Sequence, residues 1–291
     1  LNDRPVFERL SYSICTPFHS QYLGLGAVMR SIFRWSKTLG WVGGILLGSL
    51  IASSLPVLAL TNEEVIQRLR PVPVFTLANE QNNLLLLRCP GQNDGETVQC
   101  IYVFIGPQDA QGFLAGLRRE NAEIGGEVEV LPLSLAQIYQ EMTQEREDPL
   151  VVRFIPTEQD VEAARTILQQ NGTNPDEFRG VPLFVARSGG ENDEVYLSNE
   201  RDGQVYIPMF FSQAQLQRQI DRLKQEKPEL VSSVQVQVWS LESIIQAFHT
   251  QDNEGLTQLE FVPYPESYEF VRSLEAAPQN RTPQAQPAPQ Q

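Results

Sequence analysis

Histidine is nearly absent from this 291-residue chain, which holds two, His19 and His249. Nucleophilic catalysis of the Ser-His-Asp or Cys-His kind needs such a base, so that chemistry has almost nothing to rest on. Cysteine is almost as scarce, at Cys15, Cys89 and Cys100, and no Cys-x-x-Cys pair opens a helix, which excludes a thioredoxin-type redox site. Cys89, Cys100 and His249 lack metal-ligand spacing, so no metal or other cofactor is expected. Gly125-Gly126 and Gly189-Gly190 stand without the Gly-x-Gly-x-x-Gly or Walker spacing that phosphates require, and no small-molecule substrate is expected. Positive charge is short as well: 22 basic side chains face 36 acidic ones, a formal charge of −14. Such a surface repels nucleic acid and anionic membranes. No clean apolar run reaches the roughly 20 residues that a bilayer needs; that from Leu39 to Ile51 has 13.

That run sits in a particular context. Arg30, Arg34 and Lys37 precede it, and Val57-Leu58-Ala59 follows, the layout of a secretory signal peptide over residues 29–59 with cleavage after Ala59. Residues 1–28 are expected to be an extension outside the translated protein, since a signal peptide does not begin in mid-chain. The expected mature chain is more acidic than the whole: it keeps 34 acids and 17 bases, a charge of −17, and His249 alone of the histidines. With 41% hydrophobic residues the chain can bury a sizeable core. Its end, from 276 to 291, is rich in Pro, Gln and Ala and is expected to be a disordered tail.

The mature region repeats itself at an offset of about 106 residues. Val72-Pro73-Val74-Phe75 answers Val181-Pro182-Leu183-Phe184, Val128-Glu129-Val130 answers Val234-Gln235-Val236, and Phe154-Ile155-Pro156 answers Phe261-Val262-Pro263. Two pseudosymmetric halves are therefore expected, 60–171 and 172–275. Each reads as a hairpin followed by alternating helices and strands, an α+β (mixed α/β) fold with helices packed on mixed sheets. Local signals mark the helices. Thr61 with Glu64, Ser134 with Gln137 and Ser212 with Gln215 have capping-box spacing, Ser240 is a further cap, and Pro107 suits a first helical position.

Cys89 and Cys100 flank a turn-rich stretch between apolar runs, so they form either a disulfide across a hairpin or two reduced thiols on neighbouring strands. His249 reads as a surface residue in the last turn of a helix, interacting with its dipole. The acids Glu127, Glu129, Glu191, Asp193 and Glu194 read as solvated edges and loop tips, and paired-carboxylate hydrolysis stays open only because acids are numerous. The bulky run Val205 to Phe211 contains Pro208, which points to an edge or bent strand. It is either buried on both faces or displays Pro208 and Met209 as an adaptable apolar surface.

With Gly180-Val181-Pro182-Leu183-Phe184, its counterpart Pro71 to Phe75, and the Phe210-Phe211-Ser212 turn before a helix, the chain resembles the Tic-twenty-two family. The resemblance covers roughly Thr61 to Leu274 and implies a non-enzymatic, chaperone-like factor of protein transport and outer-membrane biogenesis. The partners it implies are unfolded outer-membrane precursor proteins and an outer-membrane β-barrel assembly protein. A secretory signal implies the periplasm, with some material in the thylakoid lumen. The alternatives are a structural adaptor in a membrane-protein assembly or import complex and, last, an acid-dependent hydrolase. Apolar surfaces near Phe75, Phe184, Ile207 and Met209 are the expected polypeptide-binding residues.

Overall fold

The structure is a computed structural model that describes residues 59–91, 96–144, 151–188, 195–228, 234–251 and 253–276. The signal segment, apart from Ala59, the extension before it, the tail beyond Ala276, and the acids Glu191, Asp193 and Glu194 lie outside the described residues.

Local sequence sets the helices. Helix α1 (Asn62–Leu69) begins at Thr61, whose hydroxyl accepts from the Glu64 amide while Glu64 Oε2 accepts from the Thr61 amide at 2.8 Å. Helix α2 (Pro107–Glu120) starts on Pro107, at a position where a helix leaves the amide unpaired anyway, and buries Ala110, Phe113, Leu114 and Leu117. A short α3 (Ala122–Glu127) follows, and α4 (Leu135–Thr143) is capped in both directions by Ser134 and Gln137. Helices α5 (Glu158–Gln170), α6 (Gln213–Glu226), α7 (Leu241–Thr250) and α8 (Pro265–Ala276) are the other α-helices among the described residues. The box expected at α6 forms only in half: Ser212 caps the Gln215 amide, but Gln215 Oε1 is buried without a partner.

Two sheets carry the same plan. In the first, β1 (Pro73–Asn79) pairs antiparallel with β4 (Val128–Ser134) along its length, and β3 (Thr97–Phe104) pairs parallel with β5 (Val151–Ile155). β2 (Leu87–Pro90) forms a hairpin with β3. In the second, β6 (Pro182–Ser188) pairs antiparallel with β10 (Gln235–Ser240), and β9 (Gln204–Phe210) pairs parallel with β11 (Leu259–Val262). The small strands β7 (Val195–Tyr196) and β8 (Asn199–Arg201) extend β6 and β9. Each sheet is closed through its middle by a single antiparallel register pair, Phe75 with Phe104 and Phe184 with Phe210.

Alternation along a strand sends neighbours to opposite faces, and here both faces are covered. Val74, Ile101 and Val103 of the first sheet share one central core with Leu183, Val185, Ile207 and Met209 of the second, and with residues of α1, α4 and α7. On the outer face of the first sheet Phe75, Leu77 and Phe104 pack with α2 and with Phe270 and Val271 of α8. On the outer face of the second, Phe184, Ala186 and Phe210 pack with Leu216 and Ile220 of α6 and Ala164 of α5. The last helix after each sheet thus crosses to cover the other sheet: α5 follows β5 but lies on the second, and α8 follows β11 but lies on the first.

This layering corrects one expectation. β9 is not an edge strand, because it runs between β6 and β11. Pro208 stands opposite Glu260 of β11, and on the other side the pairing with β6 is confined to Phe210, so β6 asks for no ladder hydrogen bond at the proline. The bulky run Val205 to Phe211 is a strand covered on both faces over its second half, with Ile207, Met209 and Phe211 in the central core and Phe210 in an outer one.

Candidate functional site

The four expected polypeptide-binding residues are inside. Phe75, Phe184 and Met209 are 0% exposed and Ile207 is 9% exposed. They do not meet either: Phe75 lies in the first outer core, Phe184 in the second, and Ile207 and Met209 in the central one. As a displayed apolar surface this set is therefore corrected. A strand with bulky residues on both faces is what a layered sheet needs, and the sequence pattern of the two cases is the same. Among the described residues, the exposed large apolar ones are instead Leu86, Ile124, Val195, Val205, Tyr268 and Leu274.

The structure joins Cys89 and Cys100 in a disulfide, with their Cα atoms 6.0 Å apart. The register explains the reach: Cys89 faces Val98 and Cys100 faces Leu87, so the two cysteines are diagonal neighbours across the β2–β3 hairpin.

Polar chemistry concentrates at one buried junction. Asp160, in the first turn of α5, is only 4% exposed, and its carboxylate is fully engaged. Oδ2 accepts from the Tyr264 hydroxyl at 2.7 Å and the Thr157 hydroxyl at 2.8 Å, and Oδ1 accepts from the Gln213 amide at 2.8 Å. Charge-assisted bonds of this length are the strong ones, and they offset the cost of burying the acid. The Tyr264 oxygen also lies 3.1 Å from the carbonyl of Phe211. Burial and the neighbouring Asp160 push the Tyr264 phenol well above its ordinary range, so it stays a hydrogen-bond donor. Asp109, in the first turn of α2, reaches the same junction, and burial first, then the charges of Asp160 and Glu158, push its carboxyl up to about 6.

The sequence carries one signal of this junction, the Thr157-x-x-Asp160 spacing of a helix cap. Thr157 does cap Asp160, but the acid turns outward to a helix start 53 residues on and a tyrosine 104 residues on, which no local pattern reveals.

Two smaller polar sites flank the central core. Glu242, near the start of α7, accepts from the Val181 amide at 3.0 Å, and burial pushes its carboxyl up to about 7. Gly180, at φ +93°, leaves the space that this carboxylate occupies. At the other end of α7, His249 is exposed in the last turn as expected, but it stacks on Tyr139 of α4 with ring centroids 5.5 Å apart and its Nε2 2.6 Å from the phenol oxygen. Tyr139 in turn donates to Asn62 of α1. Each of these side chains ties elements together. Among the described residues no group of three or more His, Cys, Asp or Glu is placed to hold a metal ion, and no helix is long and apolar enough to cross a membrane.

Comparison with known proteins decides the relationship. The family model described as the Tic22-like family matches residues 12–272. The chain belongs to the Tic22-like family. Among relatives of that family, the chloroplastic protein TIC 22 of Pisum sativum is 26% identical over 225 residues, covering 75% of this chain and 81% of its own length. The chloroplastic TIC 22 of Arabidopsis thaliana is 25% identical over 217 residues, covering 74% and 73%. The solved Anabaena Tic22, a protein of protein transport, superposes with a TM-score of 0.63 at 26% identity, covering 74% of this chain and 97% of that one. Tic22 from Plasmodium falciparum shares the fold, with a TM-score of 0.59 at 20% identity. The Tic22-like family therefore places this mixed α+β architecture among protein-transport components.

Proposed function

We propose that this protein is a non-catalytic, chaperone-like factor of protein transport that acts in the periplasm. It binds outer-membrane precursor polypeptides in transit and passes them to an outer-membrane β-barrel assembly protein. The observation that carries this reading is the match to Anabaena Tic22, a transport protein whose chain is covered almost end to end. Surface charge suits the role, because a strongly acidic chain stays soluble when loaded with apolar cargo. The test uses the purified full chain: it should slow aggregation of an unfolded outer-membrane protein and bind the periplasmic domains of the assembly factor. If it does neither, the reading is wrong.

One observation favours a second reading. Phe75, Phe184, Ile207 and Met209 are packed inside, so an unfolded segment would not find them on the closed molecule. A structural adaptor that grips folded partners needs no such surface. Selective capture of one folded partner by crosslinking in intact cells, without any effect on aggregation, would favour the adaptor over the escort.

A further inference from the structure

The two sheets end differently, and the difference lies in backbone groups. β4 and β10 are equivalent end strands, each paired along one side only, β4 with β1 and β10 with β6. The ladders fix which residues face away. Leu135 donates its amide to the Val72 carbonyl and Leu241 donates to that of Val181. Bonded and unbonded pairs alternate along an antiparallel ladder, so Val130, Pro132 and Ser134 of β4 and Val236, Val238 and Ser240 of β10 turn their backbone groups outward. The Asn171 side chain, just beyond α5, agrees with this phase: it donates to the Val236 carbonyl at 3.2 Å.

At β4 this outward row is closed by local chemistry. Pro132 has no N–H to offer, the Ser134 amide donates to Gln137 Oε1 at 2.8 Å, and Glu129 adds a charge to the strand. At the repeat offset these three positions become Val238, Ser243 and Gln235, and each device is lost. Val238 keeps its N–H. The Ser243 hydroxyl, on a shorter side chain than Gln137, accepts from the Ser240 hydroxyl at 2.6 Å and leaves the Ser240 amide free. No residue from Val234 to Ser240 is charged. Among the described residues nothing pairs with the outward N–H groups of Val236, Val238 and Ser240 or with the Val238 carbonyl. The other end of this sheet is occupied: α1 lies against β11, and Arg68 donates to the Leu259 carbonyl at 3.1 Å.

We propose that the outer edge of β10 is a strand-addition site for an extended polypeptide segment in which apolar and polar residues alternate. The two rows of β10 select this occupant. Val236 and Val238 continue the apolar outer layer with Ala163 and Ile167 of α5. Gln235 and Gln237 stand on the opposite face with Trp239, which packs edge-on to Tyr196, and the Tyr196 hydroxyl donates to Gln237 at 3.3 Å. A strand laid alongside extends both rows, so one of its faces meets valines and the other meets amides and an aromatic pair. Charge disfavours a second copy as the occupant, since two chains of −14 repel each other. The stretch after Ala276 is no better suited: Pro278, Pro283, Pro287 and Pro289 interrupt its donors, and it follows α8, which packs on the first sheet. Alternation over about ten residues is the pattern of a membrane-spanning β-strand. The site thus rests on the escort reading and gives the form in which a precursor is held, without any need to uncover Ile207 or Met209.

Fluorescence anisotropy on the full chain tests this with a synthetic peptide of about ten residues, Val alternating with Thr and a lysine at each end. Wild type should bind it, and hydrogen exchange at the Val238 and Ser240 amides should slow in its presence. The same peptide N-methylated on its central amides keeps every side chain but loses the donors, and should bind about tenfold more weakly. Val238→Pro copies the residue that β4 carries at this place and spares the bonds to β6, so it should weaken binding by about the same factor. Val238→Ala keeps the N–H and should change binding far less. The methylated peptide is read on wild type alone and decides the matter even where the proline unsettles β10. No binding by wild type, equal binding of the methylated peptide, or equal losses in Val238→Pro and Val238→Ala would overturn the proposal. So would a concentration-dependent dimer that Val238→Pro dissociates, because the edge would then belong to a second copy. Aggregation of an unfolded outer-membrane protein separates this site from the escort reading. Equal suppression by wild type and Val238→Pro leaves the escort without the edge; peptide binding at the edge with no suppression leaves the edge without the escort.

Discussion

The Cys89–Cys100 bridge closes a loop of sequence separation 11 between two strands that already pair. Cross-linking removes conformations from the unfolded chain, and for a loop of this size the chain-entropy relation gives about 3 kcal/mol. Both cysteines are buried, at 2% and 0% exposure, so a Cys→Ser pair would add unsatisfied hydroxyls to the loss and confuse the reading. Reduction of the wild-type chain and a Cys89→Ala/Cys100→Ala double variant are the cleaner perturbations. In a domain of this size about 3 kcal/mol corresponds to a fall in Tm of roughly 6–12 °C, and most of it should appear as a lower urea midpoint with an almost unchanged slope. The expected signature is three-fold: no free thiol from Cys89 or Cys100 in denatured, unreduced protein; a matching fall in stability on reduction and in the double variant; and no further effect of reductant on that variant. Stoichiometric free thiols from the native protein, or a urea midpoint that reductant leaves unmoved, would refute the reasoning.

Other perturbations separate the buried polar sites. Tyr264→Phe removes the hydroxyl that Asp160 accepts at 2.7 Å and should cost about 1–3 kcal/mol in urea unfolding; a neutral result would mean that Asp160 needs no tyrosine. Gly180→Ala places a methyl group in the space of the Glu242 carboxylate on a backbone at φ +93°, so a loss of at least about 1–3 kcal/mol is expected from strain and displacement together. Pairing it with Glu242→Ala should recover part of that loss, and purely additive losses would point to backbone strain alone. Glu242→Gln concerns pH: the Glu242 carboxyl is raised to about 7, so its stabilising protonation is complete below the ordinary carboxylate range and lost as pH rises through about 7. The variant should therefore be more stable than wild type near pH 8, and Tm measured from about pH 5 to 8 should fall less steeply; identical profiles would count against this assignment.

What the sequence made legible was local. Thr61 with Glu64 and Ser134 with Gln137 lie within one helical turn, and their boxes form because nothing outside the turn competes for them. Pro107 and the stripe of Ala110, Phe113, Leu114 and Leu117 are local in the same sense. Ser212 and Gln215 have equal spacing, yet only one bond forms there, where Asp160 from a distant helix takes the neighbouring amide. The alternation of strands and helices was legible, but neither the strand order of each sheet nor the exchange of α5 and α8 between sheets was, because an apolar stripe records only that a helix is covered.

The same limit explains the binding residues. A run such as Val205 to Phe211 has one appearance whether it lies in a two-sided sheet or on a sticky surface; what distinguishes the cases is the presence of a layer above and below. Here α1, α4 and α7 supply one layer and α5 and α6 the other; α6 follows the strand directly, but the other four helices lie further along the chain in one direction or the other. Ile207 and Met209 are therefore stored rather than shown. Under the proposed escort role, the question moves from where the apolar strand lies to what uncovers it.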